Sequence, residues 1–171
     1  MDLGLLLLRL IVGGLIFGHG AQKAFGVFGG MGPAGTAPVF ESWGLRPGRP
    51  LVLLAATCEL LGSTLLLLGL ATPLGAAQTL GTLAVAAWVN ARNGLWAAKG
   101  GYELALLYAT AAGALAFTGP GRYSIDRAFE VTDEYGVASG LVAAAAALLL
   151  AGVFIGYARR NLSQQAHHDH S

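Results

Sequence analysis

Residues 51–70 read LVLLAATCELLGSTLLLLGL: twenty residues with a single charge, Glu59. At about 1.5 Å of rise per residue such a stretch makes a helix of roughly 30 Å, the thickness of a bilayer's hydrocarbon core. It reads as a membrane-spanning helix, and its lone carboxylate becomes the feature to explain. Immediately after it, Ala71-Thr72-Pro73 leaves room only for a tight turn, so the next apolar run, Leu74 to about Val89, must be an antiparallel neighbour. That run frays into the polar Asn90, Arg92 and Asn93.

Working outward, three further apolar runs appear. The first covers Leu3 to about Phe25 and is interrupted only by Arg9, His19 and Lys23. It lacks a basic segment in front and a convincing small-residue cleavage site behind, so it is expected to be a retained helix and not a signal peptide. Another, from about Tyr102 to Thr118, is short and opens at Glu103; the last, Val137 to Tyr157, carries no charge. Five spans in an all-α integral membrane protein are therefore expected. Between the first two lies a Gly- and Pro-rich link in which Pro38 to Leu45 reads as a short amphipathic element at the bilayer interface, anchored by Phe40, Trp43 and Leu45.

Composition agrees. Of 171 residues 55% are hydrophobic and 11% charged, with a mean hydropathy of +0.62; soluble domains carry about 25% charged residues. A water-soluble globule and a disordered chain are both excluded. A net charge of +1 gives no reason to expect nucleic-acid binding, and one cysteine, Cys58, excludes an internal disulfide or a CxxC pair. Seven of the ten lysines and arginines (Lys23, Arg46, Arg49, Arg92, Lys99, Arg159, Arg160) fall on one side of the spans. Arg122 and Arg127 fall on the other, and Arg9 falls within a span. The positive-inside rule then places the N-terminus outside and the C-terminus in the cytoplasm of a plasma (inner) membrane.

The intramembrane charges point to a site. Each costs about 2.5–3.5 kcal/mol at mid-bilayer, so each is expected to face the interior and find a partner. Arg9 and Glu59 are the expected couple. Around the first helix Lys23 lies roughly 40° and His19 roughly 80° from Arg9, one polar stripe. Arg92, Asn93, Glu103 and Lys99 gather at the ends of helices on the same side, with Trp96 and Tyr102 at the rim. One hydrated pocket is thus expected at the inner leaflet, with Glu59, Glu103 and His19 as proton-transferring groups and Arg9, Lys23, Arg92, Asn93 and Trp96 as binding groups. The plainer alternative is that Arg9–Glu59 fixes helix register while the end lysines and arginines reach for headgroups. No metal site has a recognisable signature, and Ala166–Ser171, rich in histidine, reads as a solvated end. The Gly152-Val153-Phe154-Ile155-Gly156 pattern favours close packing within the chain or in a homodimer. With no inverted repeat visible, a transporter is not favoured.

A series of motifs in order carries a resemblance: Leu8-Arg9-Leu10, His19-Gly20-x-x-Lys23, Glu59-Leu60-x-Gly62 and Gly69-Leu70-Ala71-Thr72. They continue with Asn93-Gly94-x-Trp96, Gly100-Gly101-Tyr102-Glu103 and Gly121-Arg122-Tyr123-Ser124-Ile125-Asp126. Over about residues 3 to 126 the chain resembles the DoxX family of small membrane proteins. The resemblance implies a four-helix membrane bundle over residues 1–126 (with the interfacial segment 36–46), to which this chain adds an acidic loop and fifth span (127–158) and a cytoplasmic tail (159–171). It also implies kinship with the DoxD-type subunit of thiosulfate:quinone oxidoreductase, which passes electrons from thiosulfate to quinone. Members in actinobacteria resemble partners of a superoxide dismutase and a sulfurtransferase. The family's polar residues carry over to Arg9, His19, Lys23, Glu59, Asn93 and Glu103. Two functions are then in view. One is a redox subunit using quinone, with no haem or flavin carried by this chain; the other is a non-catalytic membrane scaffold for soluble redox enzymes.

Overall fold

The computed structural model describes residues 1–168, and no strand occurs among them. Seven helices follow in order: α1 (Asp2–Phe25), α2 (Gly32–Ser42), α3 (Gly48–Leu68), α4 (Thr72–Asn90), α5 (Glu103–Thr118), α6 (Ile125–Ala128) and α7 (Val137–His168). Their ends follow local chemistry. Gly26 and Gly69 close α1 and α3 in the left-handed conformation, φ 71° and 61°, which glycine adopts without a Cβ penalty. Pro73 sits in the first turn of α4, where its missing N–H is harmless.

By length and composition α1, α3 and α7 are each able to cross a membrane. The chain is a membrane protein with three long apolar helices. Helix α4, with 19 residues, and α5, with 16, complete the packing. Helix α1 lies against α3; α4 touches α3, α5 and α7; α7 packs on α4 and α5. The interior divides into three apolar clusters. Leu66, Ala76, Ala112, Leu115, Ala116 and Ala143 fill one end; Val12, Ile16, Leu83, Ala105 and Ala109 fill the middle; Phe40, Leu45, Val52 and Ala158 fill the other end.

Two expectations change here. Phe40 and Leu45 do not point to the bilayer interface: both are buried, and together with Trp43 they pack against α3, α4 and α7. The apolar face of α2 was legible, but its cover is α3 and α4, with Ala158 of α7 closing the cluster. That end is not a loose tail from residue 159: α7 runs unbroken to His168. Ala158 is fully buried against the Gly44–Leu45 turn, Asn161 Nδ2 donates to Gly44 O at 2.7 Å, Tyr157 Oη donates to Arg46 O, and Arg159 lies over the Trp88 ring. Of the histidine-rich end, Asp169, His170 and Ser171 lie outside the described residues.

Candidate functional site

The α1–α3 packing sets the geometry. The helices run antiparallel, and two glycines on α1 let the backbones approach closely. A Cβ on Gly13 would stand 2.8 Å from Leu67 Cγ, and one on Gly20 would stand 2.9 Å from Leu60 Cγ and 3.2 Å from Glu59 Cβ. Gly20 therefore brings the α1 backbone against the root of the Glu59 side chain. One turn on, Lys23 Nζ reaches both carboxylate oxygens at 2.9 and 2.7 Å. The Glu59 side chain is 4% exposed and that of Lys23 24%. This is a buried, closely paired charge couple with one side open. Lys23 also donates to His19 O, and the His19 ring stands 3.1 Å from Gln22 Oε1 through Nδ1. Its ring faces Tyr108 of α5 at 6.3 Å between centroids. His19 itself is exposed on the outer surface of the bundle.

Arg9 is elsewhere. The expected Arg9–Glu59 couple does not form, because the antiparallel register places Glu59 beside Gly20, eleven residues and about 16 Å along α1 from Arg9. No arginine arm spans that gap. Arg9, 1% exposed, instead donates to four carbonyls: Nε to Leu66 O at 2.8 Å, Nη2 to Leu67 O at 3.0 Å, and Nη1 to Pro120 O at 2.7 Å and Tyr123 O at 2.8 Å. Two of these acceptors are C-terminal carbonyls of α3, where the helix dipole favours a cation. Asp126, which sequence reasoning placed in a family motif but gave no role, lies at the same turn, its N–H donating to Gly69 O at 2.8 Å. The buried Asp126 carboxylate accepts from Ala71 N at 2.7 Å, Thr72 N at 3.0 Å and Thr72 Oγ1 at 2.8 Å. It thus caps α4 at its positive end. Arg9 and Asp126 serve the two helix ends that meet at the Gly69–Ala71 turn. A Cβ on Gly69 would stand 2.8 Å from Arg9 Cζ. The signal that would have found Asp126 is an acidic residue in the loop after α5, which is long enough to fold back onto that turn.

The remaining expected residues lie in the link between α4 and α5. Asn93 Nδ2 donates to Gly100 O at 3.0 Å, and Glu103 accepts from Ala97 N at 2.8 Å. Both side chains hold the loop's shape, and among the described residues no hydrogen bond or ion pair joins Glu103 to Lys23, Glu59 or His19. Arg92 and Trp96 are exposed on this loop. The single pocket expected from sequence is thus two places: a Lys23–Glu59–His19 group towards one end, and an Arg9–Asp126 node at the Met1 end. Among the described residues, no three His, Cys, Asp or Glu side chains stand together as a metal site.

No curated protein and no solved structure matches the chain. Residues 4–92 match the DoxX family model; this covers just over half of the chain and contains Arg9, His19, Lys23 and Glu59, and the chain belongs to the DoxX family.

Proposed function

We propose that this chain is the membrane-embedded subunit of a quinone-linked redox system, with Glu59, Lys23 and His19 as its proton-handling site. The observation that supports it most is the Lys23–Glu59 couple: two ionisable groups deep between helices, at 2.7 Å, with the lysine side open. A structural bridge needs no open side, whereas a proton-exchanging one does. Quinone reduction takes up two protons with two electrons, and His19 and Tyr108 stand at the surface between α1 and α5, where a lipid-soluble carrier has access. Electrons come from thiosulfate or from a partner enzyme. The exposed cationic side chains of Arg92 and Lys99 give such an oxyanion its attraction. Asn93 and Glu103 position the loop that presents Arg92 and Trp96.

In this reading α1, α3, α4, α5 and α7 are five spans, a four-helix unit with α7 added. The N-terminus is outside, and the lysine- and arginine-rich end is cytoplasmic. Kinship with DoxD-type subunits belongs to the same proposal. The test is quinone-analogue binding and thiosulfate-dependent quinone reduction in nanodiscs, alone and with candidate partners. Loss of both in Glu59→Gln and His19→Phe, with folding intact, supports the reading; unchanged binding in both variants refutes it.

A second reading is a scaffold that recruits soluble enzymes such as superoxide dismutase and sulfurtransferase, alone or as a homodimer through Gly152 and Gly156. Its support is that Arg9, Asn93 and Glu103 are engaged by backbone groups. It expects His19 and Glu59 variants to keep the phenotype while truncation after Arg159 abolishes it.

A further inference from the structure

At the Met1 end, where α1 begins and α5 stops, a cleft of about 490 Å³ opens between Asp2, the Thr118–Arg122 turn, Arg127 and Thr132. Its floor is rigid. Gly119 and Pro120 are buried, and Pro120 O is held by Arg9. Gly121, at φ 77°, lies so close to α1 that a Cβ would stand 3.1 Å from Leu5 Cδ1. Its rim is cationic. Arg122 is fixed by its backbone, whose N–H donates to Asp2 Oδ1 at 2.9 Å. No bond to the Arg122 guanidinium exists among the described residues. Arg127 makes only long contacts, 3.3 Å to Thr132 Oγ1 and 3.5 Å to Asp133 Oδ1. Two arginines thus line one cleft: the Arg122 guanidinium has no bond among the described residues, Arg127 meets a carboxylate only at 3.5 Å, that of Asp133, and the Asp2 carboxylate is engaged by an amide.

The segments that form the rim also carry exposed apolar side chains: Leu3 follows Asp2 on α1, and Phe129 and Val131 lie between Arg127 and Thr132. The cleft lies where the helices end, the depth of lipid headgroups. Arginine forks match phosphate oxygens in pairs, and exposed apolar side chains on the same segments suit acyl chains more than a dissolved anion. We propose that this cleft binds the phosphate of a phospholipid headgroup, held by Arg122 and Arg127, with the acyl chains on the neighbouring apolar surface.

The test compares the purified full chain with Arg122→Gln, Arg127→Gln and the double variant. Native mass spectrometry from detergent would count retained phosphatidylglycerol and, as a control, a phosphate-free diacyl glycolipid. Inorganic phosphate binding would be measured by calorimetry in the same detergent. Expected are retention of phosphatidylglycerol over the glycolipid and a loss of about tenfold in affinity per arginine removed, with unchanged far-UV circular dichroism. Equal retention of the glycolipid, or an unaltered double variant, overturns the site. Arginine-dependent binding of inorganic phosphate without lipid retention keeps an oxyanion site but overturns its assignment to a lipid.

Discussion

Replacing Arg9 by lysine separates charge from geometry at the most deeply buried cation of the bundle. Arg9 reaches acceptors on two sides: Leu66 O and Leu67 O at the end of α3 through Nε and Nη2, and Pro120 O and Tyr123 O in the loop after α5 through Nη1. Lysine keeps the charge but concentrates its donors at one point on a shorter-reaching head, so it serves one side and abandons the other. At least two charge-assisted bonds are lost, each worth about 1.5–3 kcal/mol. Arg9→Lys is therefore expected to destabilise by about 3 kcal/mol or more in equilibrium unfolding in dodecylmaltoside–SDS mixed micelles followed by circular dichroism. A loss below about 0.5 kcal/mol refutes the four-carbonyl account. A cycle with Glu59→Gln adds a second check: the two sites lie about 16 Å apart along α1, so the effects should add within about 0.5 kcal/mol. A coupling above about 1 kcal/mol would restore the direct Arg9–Glu59 pair.

Further outcomes follow from other contacts. Gly69→Ala places a Cβ 2.5 Å from Ser124 Cβ at φ 61° and is expected to cost about 3 kcal/mol in the same unfolding measurement. Lys23→Met leaves Glu59 buried without its partner and should destabilise by about 3–5 kcal/mol, while Lys23→Met with Glu59→Leu recovers most of the loss; equal stability of the single and double variants would contradict the pairing. Truncation after Tyr157 uncovers the Gly44–Leu45 turn and Trp88, so tryptophan emission should shift to the red, and an unmoved spectrum would show that α7 does not cover them. Burial, helped by the Asp126 and Glu134 carboxylates, pushes the Tyr135 phenol up to about 12. The folded state then holds a proton that the unfolded chain releases near pH 10, so this contribution is complete below pH 10 and is lost as pH rises towards 12. Absorbance titration at about 295 nm should show one late tyrosine that disappears in Tyr135→Phe.

The sequence by itself determined the membrane class and most helix boundaries. Apolar runs of the right length, with glycine and proline at their ends, leave few other structures in a bilayer, because every backbone N–H and C=O must be satisfied within its own helix. It also singled out Arg9, His19, Lys23, Glu59 and Glu103, because ionisable groups in apolar runs are conspicuous. Their partners were not legible. Helical periodicity fixes the angle of a side chain around its own helix but not the axial register between two helices; the contacts of Gly13 and Gly20 with α3 set that register. Register gave Glu59 to Lys23 and left Arg9 to the backbone carbonyls of a turn and a loop. The inward turn of Phe40 and Leu45 was likewise decided by tertiary packing, against Val52 of α3 and against Ala158, more than a hundred residues away. An amphipathic face reports that something apolar must cover it, and only the folded chain says whether that cover is lipid or protein.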